Sequence, residues 1–171
     1  LKIDSIGVIC GPGTFTGVRT GVTIANTIAY ALNIPIYTID TLSAQVPLVS
    51  IPKSLNSPKD LKSPINNVIS LLSASNNEIY FARFVKGKIQ GKIEIVDIMN
   101  LQNRIEKEDL IVGDLNEKHC GITGVNEFRK ITSTDKVEYL LQMIINKKIR
   151  ASKQVLPLYI KKPNITKAKK K

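Results

Sequence analysis

The sequence predicts an α/β protein. Three observations carry that expectation: short apolar runs ended by glycine or proline, a long uncharged helical stretch between the first two of them, and a strand-rich middle with a hairpin signal. Ile6 to Cys10 is the first apolar run and suits a strand buried on both faces. From Gly17 to Leu32 the apolar residues Val18, Val22, Ala25, Ala29 and Leu32 recur at steps of four and three, the spacing of one helix face, while Thr20, Thr23, Thr27 and Tyr30 form a polar stripe. A second uncharged stripe, Gly21, Ile24, Ile28 and Ala31, runs beside the first. Thr16 is placed to cap this helix, and Asn33 with Pro35 ends it. Ile34 to Ile39 reads as the next strand, so strand, helix and strand make a parallel crossover.

Residues 47–64 hold four prolines among serines and lysines and read as a linker or exposed loop. Beyond it, Asn67 to Ser73, Glu78 to Val85 and Ile89 to Ile95 read as strands, the last two joined by a Lys86-Gly87-Lys88 turn. Ile98 to Lys107 reads as a short helix and Leu110 to Gly113 as a buried strand. Asp135 to Asn146 reads as an amphipathic helix, capped by Thr134 or Asp135, with Val137, Leu140, Leu141 and Ile144 on its apolar face. Val155 to Ile160 reads as a closing strand. The organisation expected is a first lobe over 1–46, the loop 47–64, a second lobe over 65–132, a C-terminal helix and strand over 133–160, and a basic tail over 161–171. Leu1 is followed at once by strand-forming residues, so a preceding segment is expected.

With 171 residues, 43% of them hydrophobic, the chain can bury a core as one domain or two small lobes. Its apolar runs fall short of a membrane span, so a soluble cytoplasmic protein is expected. The net charge of +11 is unevenly placed: from Lys147 onward there are ten bases and no acid, and the rest is near neutral. Such a tail, with Lys161, Lys162, Lys167, Lys169, Lys170 and Lys171 at its end, attracts RNA phosphates by counterion release. A coding bias toward A and T, with Lys outnumbering Arg 20 to 5, produces the same run.

The stretch Cys10-Gly11-Pro12-Gly13-Thr14-Phe15-Thr16-Gly17-Val18-Arg19 asks whether a phosphate is held there. A P-loop needs GxxxxGK followed by Ser or Thr, and both the spacing and the Lys are missing. GxGxxG fails as well, because Thr16 stands at the third glycine. A helix N-terminus still attracts anions. The structural reading is favoured: the glycines turn the backbone sharply, and Gly17 and Gly21 let the helix lie close on the sheet. Catalytic patterns are poor. A lone histidine, His119, excludes a two-histidine metal site, and its polar surroundings read as solvent-facing. Cys10 and Cys120 read as buried reduced thiols, and Asp40, Asp114 and Glu78 as loop caps or surface charges. No metal and no cofactor is indicated.

The segment "GPGTFTGVRTGVTIANTIAYALNIPIYTIDTLSA", Gly11 to Ala44, resembles the signature segment of the TsaB family, the non-catalytic partner in bacterial synthesis of threonylcarbamoyladenosine at position 37 of transfer RNAs. Val68 to Phe84 and Val155 to Asn164 are similar to two further family stretches. The resemblance implies an actin-like, sugar-kinase-like two-lobed fold, here without the family's first strands and first helix. It also implies pairing with a catalytic TsaD-type subunit, further assembly with a TsaE-type ATPase, and contact with transfer RNA directly or through the complex. The catalytic paralogue carries an HxxxH metal motif, which one histidine cannot supply. Ser73-Ala74-Ser75 departs from the family's acidic and basic turn residues, and Lys161-Lys162 from its arginine. The expected partner surface is the helix carrying Val18, Gly21, Val22, Ile24, Ala25, Ile28 and Ala29, facing the catalytic subunit or a second copy of this chain. The competing class is a nucleotide-binding or hydrolytic, peptidase-like member of the same superfamily.

Overall fold

The computed structural model describes residues 2–46, 67–116, 119 and 128–161. The predicted linker, Cys120 and the tail from Lys162 to Lys171 lie outside the described residues. Two sheets organise the chain. The first contains β1 (Ile6–Ile9), β2 (Ile36–Ile39) and β8 (Ala151–Ser152), in the order β1-β2-β8. Between its first two strands runs α1 (Phe15–Leu32), and the strands pair in parallel with Ile6 opposite Ile36, as the crossover requires. The second sheet has the order β5-β4-β3-β6-β7 and contains β3 (Asn67–Ser73), β4 (Glu78–Val85), β5 (Lys88–Asp97), β6 (Leu110–Asp114) and β7 (Phe128–Lys130). Here β3–β4 and β4–β5 are antiparallel, and β3–β6 and β6–β7 are parallel.

Each strand forms where its pattern can be buried. Because β3 and β4 lie inside the second sheet, both faces need apolar cover, and both have it. One face packs Val68, Tyr80, Ala82, Phe84 and Val112. The other packs Ile69, Leu71, Ile79, Phe81 and Ile111. Leu42 and Val46, from the turn that follows β2, plug into the first of these faces and so join the two sheets. The buried Ser70 hydroxyl fixes that junction, lying within donating distance of the Leu42 carbonyl at 2.9 Å and of the Gln45 Oε1 at 2.8 Å, with its single proton shared between the two acceptors. The β4–β5 hairpin turns at Lys86 and Gly87, both at positive φ, as a tight two-residue turn demands.

The second helix, α2 (Ser133–Ile145), returns to the first sheet and contacts β1 and β2, which α1 also contacts. Its start carries a capping box: the Asp135 amide donates to the Thr132 hydroxyl oxygen at 3.2 Å, and the Thr132 amide donates to the Asp135 carboxylate at 2.7 Å.

Several expectations are corrected. The cap of α2 is Thr132 rather than Thr134 or Asp135. Its inward face holds the expected Leu140 and Ile144, both beside Gly7 of β1, together with the stem of Lys136, while Val137 and Leu141 are exposed; Lys136 goes inward because its ammonium reaches Asp114 at 3.0 Å. The helix expected over Ile98 to Lys107 is two 3-10 turns, Ile98–Asn100 and Gln102–Arg104. Asp97 caps the first by accepting the Met99 amide, and Ile105 turns extended so that the Glu106 amide can donate to Asp109 at 2.7 Å. The expected closing strand, Val155 to Ile160, carries no sheet ladder and is an extended strap; the strand that closes the first sheet is β8, antiparallel to β2. Finally, α1 begins at Phe15 with Thr14 as N-cap, so Thr16 lies inside the helix and caps nothing.

Candidate functional site

The glycine loop between β1 and α1 is held from two sides. The Thr41 amide donates to the Gly11 carbonyl at 2.7 Å, the Thr41 hydroxyl donates to the Pro12 carbonyl at 2.7 Å, and the Leu158 amide donates to the Cys10 carbonyl at 2.7 Å. Gly11 has φ +107°, and a Cβ there would lie 2.9 Å from the Leu158 carbonyl oxygen, so its position requires glycine twice over. Gly17 and Gly21 are exposed, and a Cβ on Gly21 would meet nothing within 4 Å. This corrects the expectation that they bring the helix close to the sheet: they face away from it. Gly13, Thr14, Phe15, Thr16 and Arg19 are also exposed, whereas Gly11 and Pro12 are buried.

The two stripes of α1 separate cleanly. Val22, Ala25 and Ala29 are buried against Ile36 and Val155, with Val18 partly buried beside them. Gly21, Ile24, Ile28 and Ala31 face outward, with Ile24 54% and Ile28 38% exposed. Leu32, grouped by spacing with the inward stripe, is exposed at the helix end. Asn33 terminates α1 in the left-handed conformation at φ 51°, and its amide satisfies carbonyls of the last turn. On the flank, Asn26 clamps the strap: its Nδ2 donates to the Val155 carbonyl at 2.8 Å and its Oδ1 accepts the Val155 amide at 2.9 Å.

The strap then crosses from one sheet to the other. Tyr159 stacks on Phe15 with ring centres 5.1 Å apart, and Lys161 pairs with Glu78 at the start of β4. Between the strap, the start of α1 and the β3–β4 turn lies a half-open pocket of about 240 Å³, walled by Thr14, Phe15, Ser75, Tyr80, Tyr159 and Lys161 among others. At this end α1 has no side-chain cap and no acid in its first turn, so no side chain offsets the positive pole of the helix there. Tyr80 is 7% exposed, and its burial pushes the phenol above the usual range, so it stays protonated as a donor. Sequence reasoning missed this pocket. Its walls come from three separated segments, and the one available signal, the alternation that puts Tyr80 on the same strand face as Ala82 and Phe84, reads as core.

The other candidates resolve into structural roles. Asp40 accepts the Ser43 amide at 2.8 Å as a loop cap, and Asp114 pairs with Lys136. His119 is fully buried, which overturns the solvent-facing expectation. Its Nε2 lies 3.0 Å from the Asn76 carbonyl, an acceptor only, so that nitrogen carries the proton and Nδ1 accepts from the Ser73 hydroxyl at 2.9 Å. The Ser73 oxygen in turn accepts the Asn116 amide at 3.0 Å. The imidazole thus ties the β3–β4 turn to the segment after β6, with a carbonyl where a serine hydrolase would place a carboxylate. Burial raises the Cys10 thiol, which makes it a poor nucleophile. Among the described residues no cluster of His, Cys, Asp or Glu could hold a metal ion, and no helix is long and apolar enough to cross a membrane. Of the predicted tail contacts only Lys161 lies within the described residues.

Two sheets joined through the turn after β2 and the strap, with helices packed on the smaller one, define a mixed α/β protein of the actin-like class. A Pseudomonas aeruginosa protein described as similar to peptidase YeaZ shares this fold, with a TM-score of 0.63 over 93% of this chain and 74% of its own, at 16% identity. The family model for TsaD, tRNA N6-adenosine threonylcarbamoyltransferase, matches residues 1–109. The TsaB protein of Haemophilus influenzae, a tRNA threonylcarbamoyladenosine biosynthesis protein, is 30% identical over 90 residues, 53% of this chain and 34% of that protein. That of Bacillus subtilis is 50% identical over 40 residues, 23% of this chain and 18% of that protein. The chain belongs to this threonylcarbamoyladenosine family and is a TsaB-type member of it. The matches span about a third or less of the length of these two relatives.

Proposed function

We propose that this chain is a non-catalytic subunit that docks on and activates a catalytic TsaD-type subunit during formation of N6-threonylcarbamoyladenosine at position 37 of transfer RNAs, in the cytoplasm. A TsaE-type ATPase joins the larger complex. One observation carries the reading: the outward face of α1, Gly21, Ile24, Ile28 and Ala31, is small, apolar and uncharged, and its own sheet occupies only the opposite face. A helix needs one apolar stripe to pack on its sheet; a second, with small residues that let another backbone approach, fits helix-on-helix contact.

The test is capture of the purified chain by its catalytic partner, followed by assay of transfer RNA modification with and without it. Ile24→Glu and Ile28→Glu are expected to leave the chain folded and abolish capture, because a charge left unpaired in an interface costs about 3–5 kcal/mol. Val22→Glu is expected to unfold it. Full capture of the Ile24→Glu, Ile28→Glu double variant overturns the docking surface. Loss of self-association with unchanged capture assigns the face to a second copy instead. Turnover of ATP or peptide by the highly purified chain overturns the non-catalytic reading.

A further inference from the structure

Where α2 ends and β8 begins, the surface carries charge that the docking role does not use. Lys147, Lys148, Arg150 and Lys153 are all exposed, and none of them pairs with a carboxylate among the described residues. Their backbone is anchored at both ends. The Lys147 amide donates to the Ile144 carbonyl at 3.0 Å and the Lys148 amide to the Met143 carbonyl at 2.9 Å, and Ala151 and Ser152 then pair with Tyr37 and Ile36 of β2. The surrounding elements add no opposing charge: α1, β2 and β8 contain no acid, and Asp4, ahead of β1, has Lys2 beside it. The negative pole of α2 accounts for bases at its very end, but that field fades within a turn and leaves Arg150 and Lys153 unexplained.

A flat aromatic ring stands level with the last of these bases. The strap runs opposite to α1, with Val155 at Asn26 and Tyr159 at Phe15. From Val155 back to Lys153 is two extended residues, about 6 Å, and from Asn26 on to Tyr30 is one helical turn, also about 6 Å, so Lys153 lies level with Tyr30 on the α1 flank. Tyr30 is 90% exposed and lies on a different side of α1 from the outward stripe of Ile24 and Ile28.

We propose that this face is a docking surface for RNA, with Lys147, Lys148, Arg150 and Lys153 on the phosphate backbone and an unpaired base stacked on Tyr30. Four unpaired cations on an ordered frame gain by counterion release when they meet phosphates, and an aromatic face accepts any base. RNA is favoured over an acidic protein because an acidic segment would engage the charges but leave the exposed ring without a role. The inference deepens the RNA-modification reading and rests on it for the source of the RNA.

The test measures binding of a fluorescent RNA hairpin with an unpaired adenine loop to the full chain over a series of salt concentrations, with a blunt RNA duplex and polyglutamate as separate arms. Combining Lys147→Gln, Lys148→Gln, Arg150→Gln and Lys153→Gln is expected to lower the log–log salt slope for the hairpin by about 3, at about 0.7–0.9 per lost contact, with the fold unchanged by circular dichroism. Combining Lys147→Arg, Lys148→Arg and Lys153→Arg should keep the parent slope. Tyr30→Ala is expected to weaken hairpin binding about tenfold and to leave duplex binding unchanged. An unchanged slope in the glutamine variant overturns the surface, whatever affinity the lysines further along the chain supply. Undiminished hairpin binding by Tyr30→Ala overturns the stacked base, and polyglutamate binding as tightly as the hairpin overturns RNA as the occupant. Failure here is separable from failure of the docking role: the glutamine variant and Tyr30→Ala should leave capture by the TsaD-type subunit intact, and Ile24→Glu should leave the hairpin's salt slope intact.

Discussion

The two sheets solve the burial problem differently. In the second, Ile69, Leu71, Ile79, Leu101 and Ile111 are fully buried, and among the described residues its exposed large apolar residues are Ile89 and Met99. Around the first, Ile24, Ile28 and Leu32 on α1 and Val137, Leu141 and Ile145 on α2 remain open to solvent. The second sheet completes a core from its own strands, turns and the inserted Leu42 and Val46. The first buries a compact cluster around Val22, Ala29 and Ile36 and leaves the outer faces of its helices exposed. If α1 docks a partner as proposed, stability and association are carried by different halves of the molecule, and mutations should sort accordingly.

The widest separation is expected between Leu71→Ala and Ile24→Ala. Leu71 is fully buried, and removing it leaves a cavity that costs about 2–5 kcal/mol. Ile24 is 54% exposed, and its truncation should stay within about 0.5 kcal/mol. Denaturant midpoints measure both. Equal losses would mean that the α1 stripe is packed in the isolated chain and would break the contrast.

Glycines sharpen the comparison because the same substitution should change sign. At Gly113 an added Cβ would run into the backbone carbonyl of Leu71 on the neighbouring strand, so Gly113→Ala should destabilise by about 3 kcal/mol, the scale of overpacking. At Gly21 it would meet nothing, and alanine is the better helix former, so Gly21→Ala should stabilise by about 0.5–1 kcal/mol. Thermal unfolding of the two variants reads the sign directly. If Gly21→Ala also weakens capture by the proposed TsaD-type partner, the small residue serves the interface rather than the fold.

These cases show where the sequence was legible. β3 and β4 agree with their expected bounds, and β1, β2, α1, β5 and β6 agree to within a few residues, because each has a period or an apolar run long enough to outweigh its neighbours. β7 and β8 were missed: three and two residues, Phe128–Lys130 and Ala151–Ser152, carry no period. The α2 face is half right: Leu140 and Ile144 pack inward beside Gly7, but Val137 and Leu141 are exposed, and Lys136 takes an inward place because its stem lies inward and only its ammonium seeks Asp114. His119 was misread for a related reason: its polar neighbours in sequence describe the surface, while its hydrogen bonds come from Ser73 and Asn76, more than forty residues away. The outward stripe of α1 was visible as a pattern, but spacing alone gives two equivalent faces; only the position of Ile36 and Val155 shows which one is inside. The pocket was not legible, since Tyr80, Phe15 and Tyr159 meet only through the fold.

A third contrast concerns the strap, which touches both halves. Asn26 holds it to α1 with two hydrogen bonds, and Asn26→Ala should cost about 1–2 kcal/mol by leaving the Val155 amide and carbonyl without partners. The loss should appear as faster hydrogen exchange at Val155 and Leu158 before any change in the amides of β3 or β6. Simultaneous change in both sheets would mean that the strap holds the whole molecule rather than its first half.

The smallest expected effect lies at the strap's other end, where Lys161 meets Glu78. The hydrogen bond from Lys161, then that from Ser75, holds the Glu78 carboxyl below its ordinary range. A depressed folded-state value means that the unfolded chain binds the proton more readily, so the pair contributes stability above the unfolded carboxyl range near pH 4.3. That contribution fades as pH falls through the lower folded value. Because about a third of each side chain is exposed and solvent screens the pair, the effect should be slight and should shrink further in high salt. Glu78→Gln should therefore lower the thermal midpoint marginally at pH 7 and not at all at the acid end, where Glu78 of the parent is itself protonated. Parent and variant curves that run parallel down to the acid end would show that Lys161 is not held by Glu78 in solution, which would leave its ammonium free for a phosphate.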